Sequence, residues 1–261
     1  MMEDVCGDPA AGLAVFLAGN QFMVLPALVA GFLQTHPEVG SVFYETLPPG
    51  VVLDQFRRGG LRVGTLELRV RPDVLALSPD RLTELQAEGL TDPGHPYARN
   101  DLAMLVAADN PLGVTGLGDL GRADIRVALP DPRTEGIGRL TLAALETVGG
   151  LSLRHAVEVD KRRDGTAVFT TIHHRQSPDW LEAGAVDAAV VWSTEARHHL
   201  ACGRPFALVN IPPEQNRMGD YAAAVVRGAP HPAAAAAFVA YLCGPAGQAC
   251  YRERGFAAPI A

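Results

Sequence analysis

The chain has 261 residues, 48% of them hydrophobic and 20% charged, with a formal net charge of −7. That is enough chain and apolar surface for one large α/β domain or two smaller lobes, and it excludes a disordered chain. The acidic balance argues against nucleic acid, whose phosphates need clustered positive charge.

Residues 13–17 read as a strand that breaks at Gly19-Asn20. Val24, Leu25, Leu28, Val29, Phe32 and Leu33 then recur at helical spacing until His36-Pro37, with Pro26 tolerable only in the first turn. Residues 41–44, 74–77 and 102–107 follow as strands. A second set opens near Asp124: a strand over 125–129, a loop over 130–138, and a helix from about 139 to 148 that Gly149-Gly150 should end. Ser177-Pro178-Asp179 predicts an N-cap and a first-turn proline for a short helix stopping near Gly184. Residues 187–192 read as a buried strand and 221–226 as another. His231-Pro232 starts an Ala-rich helix, Gly244-Pro245 interrupts it, and a final helix carries 248–254. Alternating strands and helices imply parallel sheets with right-handed crossovers, and two such sets imply two lobes. Ligands in this architecture sit beyond the carboxyl ends of the strands.

No run approaches the about 20 apolar residues of a membrane-spanning helix. Met1 to Cys6 lacks the basic and apolar stretches of a signal peptide, so the expectation is a cytoplasmic chain or one whose export signal has been removed. Cys6, Cys202, Cys243 and Cys250 have neither metal-like nor redox-like spacing, and no disulfide pairing is favoured. Cys243 and Cys250, seven apart, are expected on one buried helical face. The basic runs Arg57-Arg58 and Lys161-Arg162-Arg163 read as solvated loop ends.

Five segments in order carry a family resemblance: residues 15–21, 72–78, 127–132 with the glycine-rich continuation, 184–194, and the tail from Tyr221 through Pro232, Phe238, Pro245, Gln248 and Tyr251 to Gly255-Phe256. Together they resemble the type II periplasmic solute-binding proteins of ABC importers, most closely the molybdate/tungstate-binding branch. The resemblance implies an α/β, two-lobed periplasmic-binding-protein-like fold with two mixed or parallel sheets, helices on both faces and two crossover strands. It implies a discontinuous lobe I (10–98 plus 221–261), lobe II (99–220) and an N-terminal extension (1–9). It further implies a small anionic ligand, an oxyanion such as molybdate or tungstate, held in an interlobe cleft and delivered to an ABC transporter permease. Residence would be periplasmic or cell-surface, with no cofactor, no catalysis and a monomeric chain. Three places depart from the branch: Gly19-Asn20-Gln21 replaces a small-residue run with a hydroxyl, Trp192 replaces a tyrosine, and one loop carries His173-His174-Arg175.

Candidate ligand-binding residues follow from chemistry and placement. Gly19, Asn20 and Gln21 lie between a strand and a helix, where backbone N–H groups favour an anion or form an ordinary turn. Ser78 either donates its hydroxyl to a ligand or caps the helix at Pro79. Glu45 and Thr46 end a strand before Pro48-Pro49-Gly50, as a rigid loop or as a cleft rim of Tyr44 and Thr46. The loop with Arg133, Thr134, Glu135 and Gly136 would aim several N–H groups at an oxyanion, with Arg133 and Arg139 adding charge. It lacks the Gly-Lys-Ser/Thr of a P-loop. His173, His174 and Arg175 would clamp an anion, remain on the surface, or with Glu135 or Glu195 hold a metal, although no i, i+4 histidine pair supports zinc. Trp192 would form an apolar wall or a core anchor; His198-His199 should be solvated. No Gly-x-Ser-x-Gly elbow or paired carboxylates point to an enzyme. The alternatives are a binder of a small organic anion or a metal ion, or a stand-alone ligand-sensing domain.

Overall fold

A computed structural model describes residues 5–63, 66–171, 173 and 175–260. By contact the chain divides into two compact units, Met1–Arg99 with Asp220–Ala261, and Asn100–Gly219.

The first unit opens with β1 (Val5–Cys6), β2 (Ala14–Leu17), α1 (Leu25–Thr35), β3 (Phe43–Glu45) and α2 (Pro49–Arg58). A two-stranded ribbon, β4 (Leu61–Val63) with β5 (Leu66–Leu68), leads to β6 (Val74–Leu77) and α3 (Pro79–Ala87). β7 (His95–Ala107) then carries the chain across the boundary between units. β2 and β6 are buried at every position, which explains why they read as continuous apolar runs and not as alternating ones. α1 begins at Leu25 with Pro26 in its first turn, where a missing N–H costs nothing.

The second unit continues with β8 (Val127–Leu129), α4 (Gly136–His155), α5 (Lys161–Arg163), β9 (Ala167–Phe169), α6 (Gln176–Glu182), β10 (Ala188–Trp192), α7 (Ser193–Ala201) and β11 (Phe206–Asn210). β12 (Met218–Val225) returns the chain to the first unit, which closes with α8 (Pro232–Cys243) and α9 (Pro245–Glu253). Strands of the first unit are ordered β1-β3-β2-β6-β12, with β3, β2 and β6 mutually parallel and β12 antiparallel to β6. Those of the second are ordered β9-β8-β10-β7 with β11 on β7; β9, β8 and β10 are parallel, and β7 is antiparallel to β10.

Phe16, Phe43, Val52, Leu75, Leu77, Leu82 and Leu85 build one core of the first unit with Ala222 and Ala224 from the returning strand. α8 is packed beside α1 by the edge of Phe238 on Phe32, 5.1 Å between ring centroids. In the second unit Ala103, Leu105, Ala128, Ala189, Val191 and Phe206 share a core with Leu181 and Ala196.

Several local expectations need correction. α4 starts at Gly136, earlier than expected; its first helical run does end at Gly149-Gly150, as expected, but a second run follows directly instead of a loop. Gly150 takes φ +65°, a left-handed turn open to glycine, and helix resumes at Leu151. Ser177 is not an N-cap: α6 starts at Gln176 with Arg175 before it, because the Gln176 carboxamide accepts the Thr171 N–H at 2.9 Å and holds the preceding loop. Cys243 and Cys250 lie on different helices, which meet at 57°, and Cys243 is exposed. None of the four cysteines is in a disulfide. Lys161, expected on a solvated loop end, is buried with its ammonium donating to the Arg122 and Ile125 carbonyls. Among the described residues no single helix is long and apolar enough to cross a membrane.

The returning segment is stitched to the first at Asp73. This fully buried carboxylate accepts the Ala14 N–H at 2.8 Å and the His231 N–H at 2.6 Å, and meets the His231 ring Nδ1 at 3.1 Å. It thus joins β2, the start of β6 and the start of α8. An Asp73→Ala chain should lose about 3 kcal/mol of unfolding free energy, because two backbone N–H groups lose a charged acceptor. Urea denaturation checks this, with the half-exposed His231→Ala expected to cost less.

Candidate functional site

Each unit gathers its candidate residues along the carboxyl edge of its own parallel strands. In the first unit β2, β3 and β6 end together: Phe16 pairs with Glu45 on one side and Leu75 on the other, and Leu17 with Ala76. The next residues along are Gly19, Asn20 and Gln21 after β2, Thr46 after β3 and Ser78 after β6. Two helix N-termini, those of α2 and α3, follow directly, so their unpaired N–H groups and positive dipole ends lie on this edge.

The roles along this edge differ. Gly19–Gln21 forms a 3-10 turn, and the side chains of Asn20 and Gln21 are buried. Asn20 donates its amide to the Tyr221 hydroxyl at 2.6 Å. The Gln21 carboxamide oxygen accepts the Tyr97 and Tyr251 hydroxyls at 2.7 and 2.6 Å, so that side chain serves the fold. Burial holds both phenols well above their usual pKa, which keeps them as neutral donors. Thr46 is fully buried, whereas Ser78 is exposed at the N-cap position of α3 and makes no capping bond through its hydroxyl.

In the second unit β8 and β9 end together, with Leu129 opposite Phe169, and β10 runs on beside them to Trp192. Pro130 and Asp131 follow β8, Thr170 follows β9, and Ser193 follows β10. The loop from Asp131 to Glu135 is held by its own carboxylate: Asp131 is buried, accepts the Arg133 N–H at 2.9 Å, and pairs with the Arg133 guanidinium at 2.6 Å. The Arg133 guanidinium holds the Asp131 carboxyl below its usual range. Arg133 therefore spends its charge on Asp131, and Arg139 donates to the Pro132 carbonyl.

Gly138 lets α4 approach this loop, since a methyl group there would meet the Pro130 carbonyl at 2.5 Å. Thr134 is exposed, and Gly136 opens α4 behind the buried Glu135. Thr170 ties loop to strand: its hydroxyl accepts the Asp131 N–H at 3.0 Å and donates to Glu135 at 2.5 Å. Sequence reasoning missed Thr170, although a threonine pair at the end of a β-branched run signals a strand end with hydroxyls to offer.

His173 is buried, and its ring Nδ1 accepts the Arg175 N–H at 3.1 Å, which excludes a proton on that nitrogen in this arrangement. Arg175 is half-buried directly before α6. His174 lies outside the described residues. Trp192 is buried against Gly219, where an added methyl group would meet the indole at 2.5 Å. Ser193 and Thr194, at the start of α7, engage Asn100 at 3.2 and 2.8 Å. His198 and His199 are half-buried, not solvated: His199 stands edge-on to Phe206 at 6.1 Å, and burial lowers its pKa. Among the described residues no group of three or more His, Cys, Asp or Glu side chains is placed to hold a metal ion.

Comparison with known proteins gives a consistent family. The chain is 26% identical to the molybdate-binding protein ModA of Mycobacterium bovis over 259 residues, 97% of this chain and 92% of that one. In fold it is similar to the periplasmic molybdate-binding protein of Azotobacter vinelandii (TM-score 0.72, 20% identity, covering 95% of this chain and 100% of that one). It is also similar to the sulfate-binding protein SubI of Mycobacterium tuberculosis (TM-score 0.71, 21% identity, covering 94% and 85%). These likenesses give the α/β fold of type II periplasmic binding proteins. The family described as bacterial extracellular solute-binding protein matches residues 13–257, and the chain belongs to that family.

Proposed function

We propose that the chain is the solute-binding component of an ABC importer and captures a small oxyanion, molybdate or tungstate foremost, without turning it over. The observation that carries this reading is the concentration of hydroxyl groups and helix N-termini at the carboxyl edge of the parallel strands in each unit. Helix N-termini present N–H groups and a positive dipole end, which suit a compact anion. A relative matched over 97% of the chain is a molybdate-binding protein, which supports the choice of solute. Residence outside the cytoplasm and delivery to a membrane permease belong to the same reading.

The contacts of this reading are the Gly19–Gln21 turn, Thr46 and Ser78 in the first unit, and Arg133 to Gly136, His173, His174, Arg175 and Trp192 in the second. Their roles are unequal. Ser78, Thr134 and the N–H of Gly136 are donors that need no rearrangement of the core. Arg133 answers Asp131 first, so the loop contributes little net positive charge. Selection then rests on the size and geometry of the anion more than on its charge, and Arg175 supplies the cationic side.

Isothermal titration of the chain with molybdate, tungstate, sulfate, phosphate and small carboxylates tests the assignment. Saturable binding of molybdate or tungstate, at least about tenfold tighter than sulfate (about 1.4 kcal/mol), is the expected result. Preference for a carboxylate, or for none of the panel, would remove the oxyanion reading. Ser78→Ala should weaken binding of the preferred oxyanion about tenfold or more while leaving the thermal midpoint of the ligand-free chain unchanged, since it removes a bond made only to ligand. Thr170→Val should instead lower both stability, by about 1–3 kcal/mol, and affinity, because the Asp131 N–H loses its acceptor and the 131–136 loop loses its tie to β9.

A further inference from the structure

Glu45 is fully buried at the end of β3, directly before Thr46, and faces α2. Its Oε1 accepts the Gln55 Nε2–H at 2.9 Å. Its Oε2 and the Gln55 Oε1 are both buried and have no partner. Two acceptors left over beside a bond already formed between the same two planar groups are what an ionised carboxylate leaves when the arrangement is built for the acid. A proton on Oε2 makes that oxygen a donor to the Gln55 Oε1, and both orphans are satisfied by one hydrogen. We propose that Glu45 is a neutral carboxylic acid doubly hydrogen-bonded to Gln55, and that this acid–amide pair is the positioning device that seats the N-terminal turn of α2 and Thr46 at the candidate site.

The surroundings agree with a neutral group. β2 brings only Ala14, Val15, Phe16 and Leu17 to this part of the sheet. β1 sets Val5 opposite Glu45 and Cys6 opposite Tyr44, whose phenol burial pushes up to about 12. The charged residues of α2 point away: Asp54 and Arg58 pair with each other at 2.8 Å on the exposed side, and Arg57 pairs with Glu88 at 2.7 Å. Among the described residues no cation compensates an ionised Glu45. Burial accordingly raises its pKa to about 7, against the small opposing effect of the Gln55 amide.

The linkage has a definite sign. The unfolded chain releases the Glu45 proton near the ordinary 4.5, and the folded chain keeps it to about 7. The stability this group contributes is complete below the lower value, declines as pH rises between the two, and is gone above the upper one. Glu45→Gln preserves both hydrogen bonds, because an amide donates where the acid did, and it has no proton to lose.

Two measurements on the ligand-free chain decide the matter, so their outcome is independent of which solute binds; only the service to Thr46 rests on the oxyanion reading. The first is the ¹³C titration of the Glu45 side-chain carboxyl, assigned through bonds. A midpoint near 7, followed by the Thr46 and Gln55 amide resonances, is expected, and a midpoint in the usual carboxylate range overturns the proposal. The second is urea denaturation between about pH 5 and 7, where the wild-type unfolding free energy should fall by the slope of one proton relative to Glu45→Gln. Parallel slopes in the two chains overturn it as well. Should Glu45→Gln fail to fold, the reciprocal pairing is wrong, because the amide is the closest mimic of the acid.

Discussion

Two phenols converge on one carboxamide oxygen at the heart of the first unit. Tyr97 comes from the strand that leaves this unit, Tyr251 from the last helix of the returning segment, and Gln21 from the turn at the candidate edge. The unit is assembled from two stretches of chain separated by the whole of the second unit, so its integrity depends on contacts of this range. Around the Gln21 oxygen the rings of Tyr97, Tyr221, Tyr251 and Phe256 pack with centroids 5.1–6.3 Å apart. The turn that presents Gly19 and Asn20 is therefore fixed from behind by the tail of the chain. A site of this kind gains its geometry from long-range closure and not from the local sequence of the turn.

Charge is managed at both edges in the same spirit. Asp131 takes the nearest guanidinium in the second unit, and in the first unit burial favours the neutral form of Glu45. A carboxylate left bare near either edge would repel an anion and carry the desolvation penalty of an unpaired charge. On the proposed oxyanion reading, with Asp131 paired and Glu45 neutral, backbone N–H groups and hydroxyls would set the recognition. Such groups discriminate by distance and angle, which separates oxyanions of different size better than a cluster of cations would.

Strands 74–77 and 187–192 were legible in the sequence because they are short unbroken apolar runs, and helix 25–35 because of its apolar period and first-turn proline. α2 escaped notice: its buried positions include Gln55, so the apolar stripe is interrupted where the fold wants a polar partner for Glu45. β9 was hidden by its brevity and β11 by its half-burial. For the candidate site, position was readable and orientation was not. Gly19 to Gln21, Ser78 and the 131–136 loop do end strands, but nothing local says that Gln21 turns toward Tyr251, 230 residues on, or that Trp192 covers Gly219. Side-chain direction at a strand end is decided by distant neighbours that a local pattern does not contain.

Lys161 is the chain's one lysine, and the fold hides it, with its ammonium on the carbonyls of Arg122 and Ile125. Apart from the α-amino group, the native surface thus offers no primary amine to acylating reagents, and a lysine-specific protease has one bond to cut. That bond lies between the π-helical stretch Ala156–Asp160 and β9, within the second unit. Acylation or cleavage at Lys161 must wait for this segment to open, so modification of the lysine amine reads the local unfolding of one part of one unit.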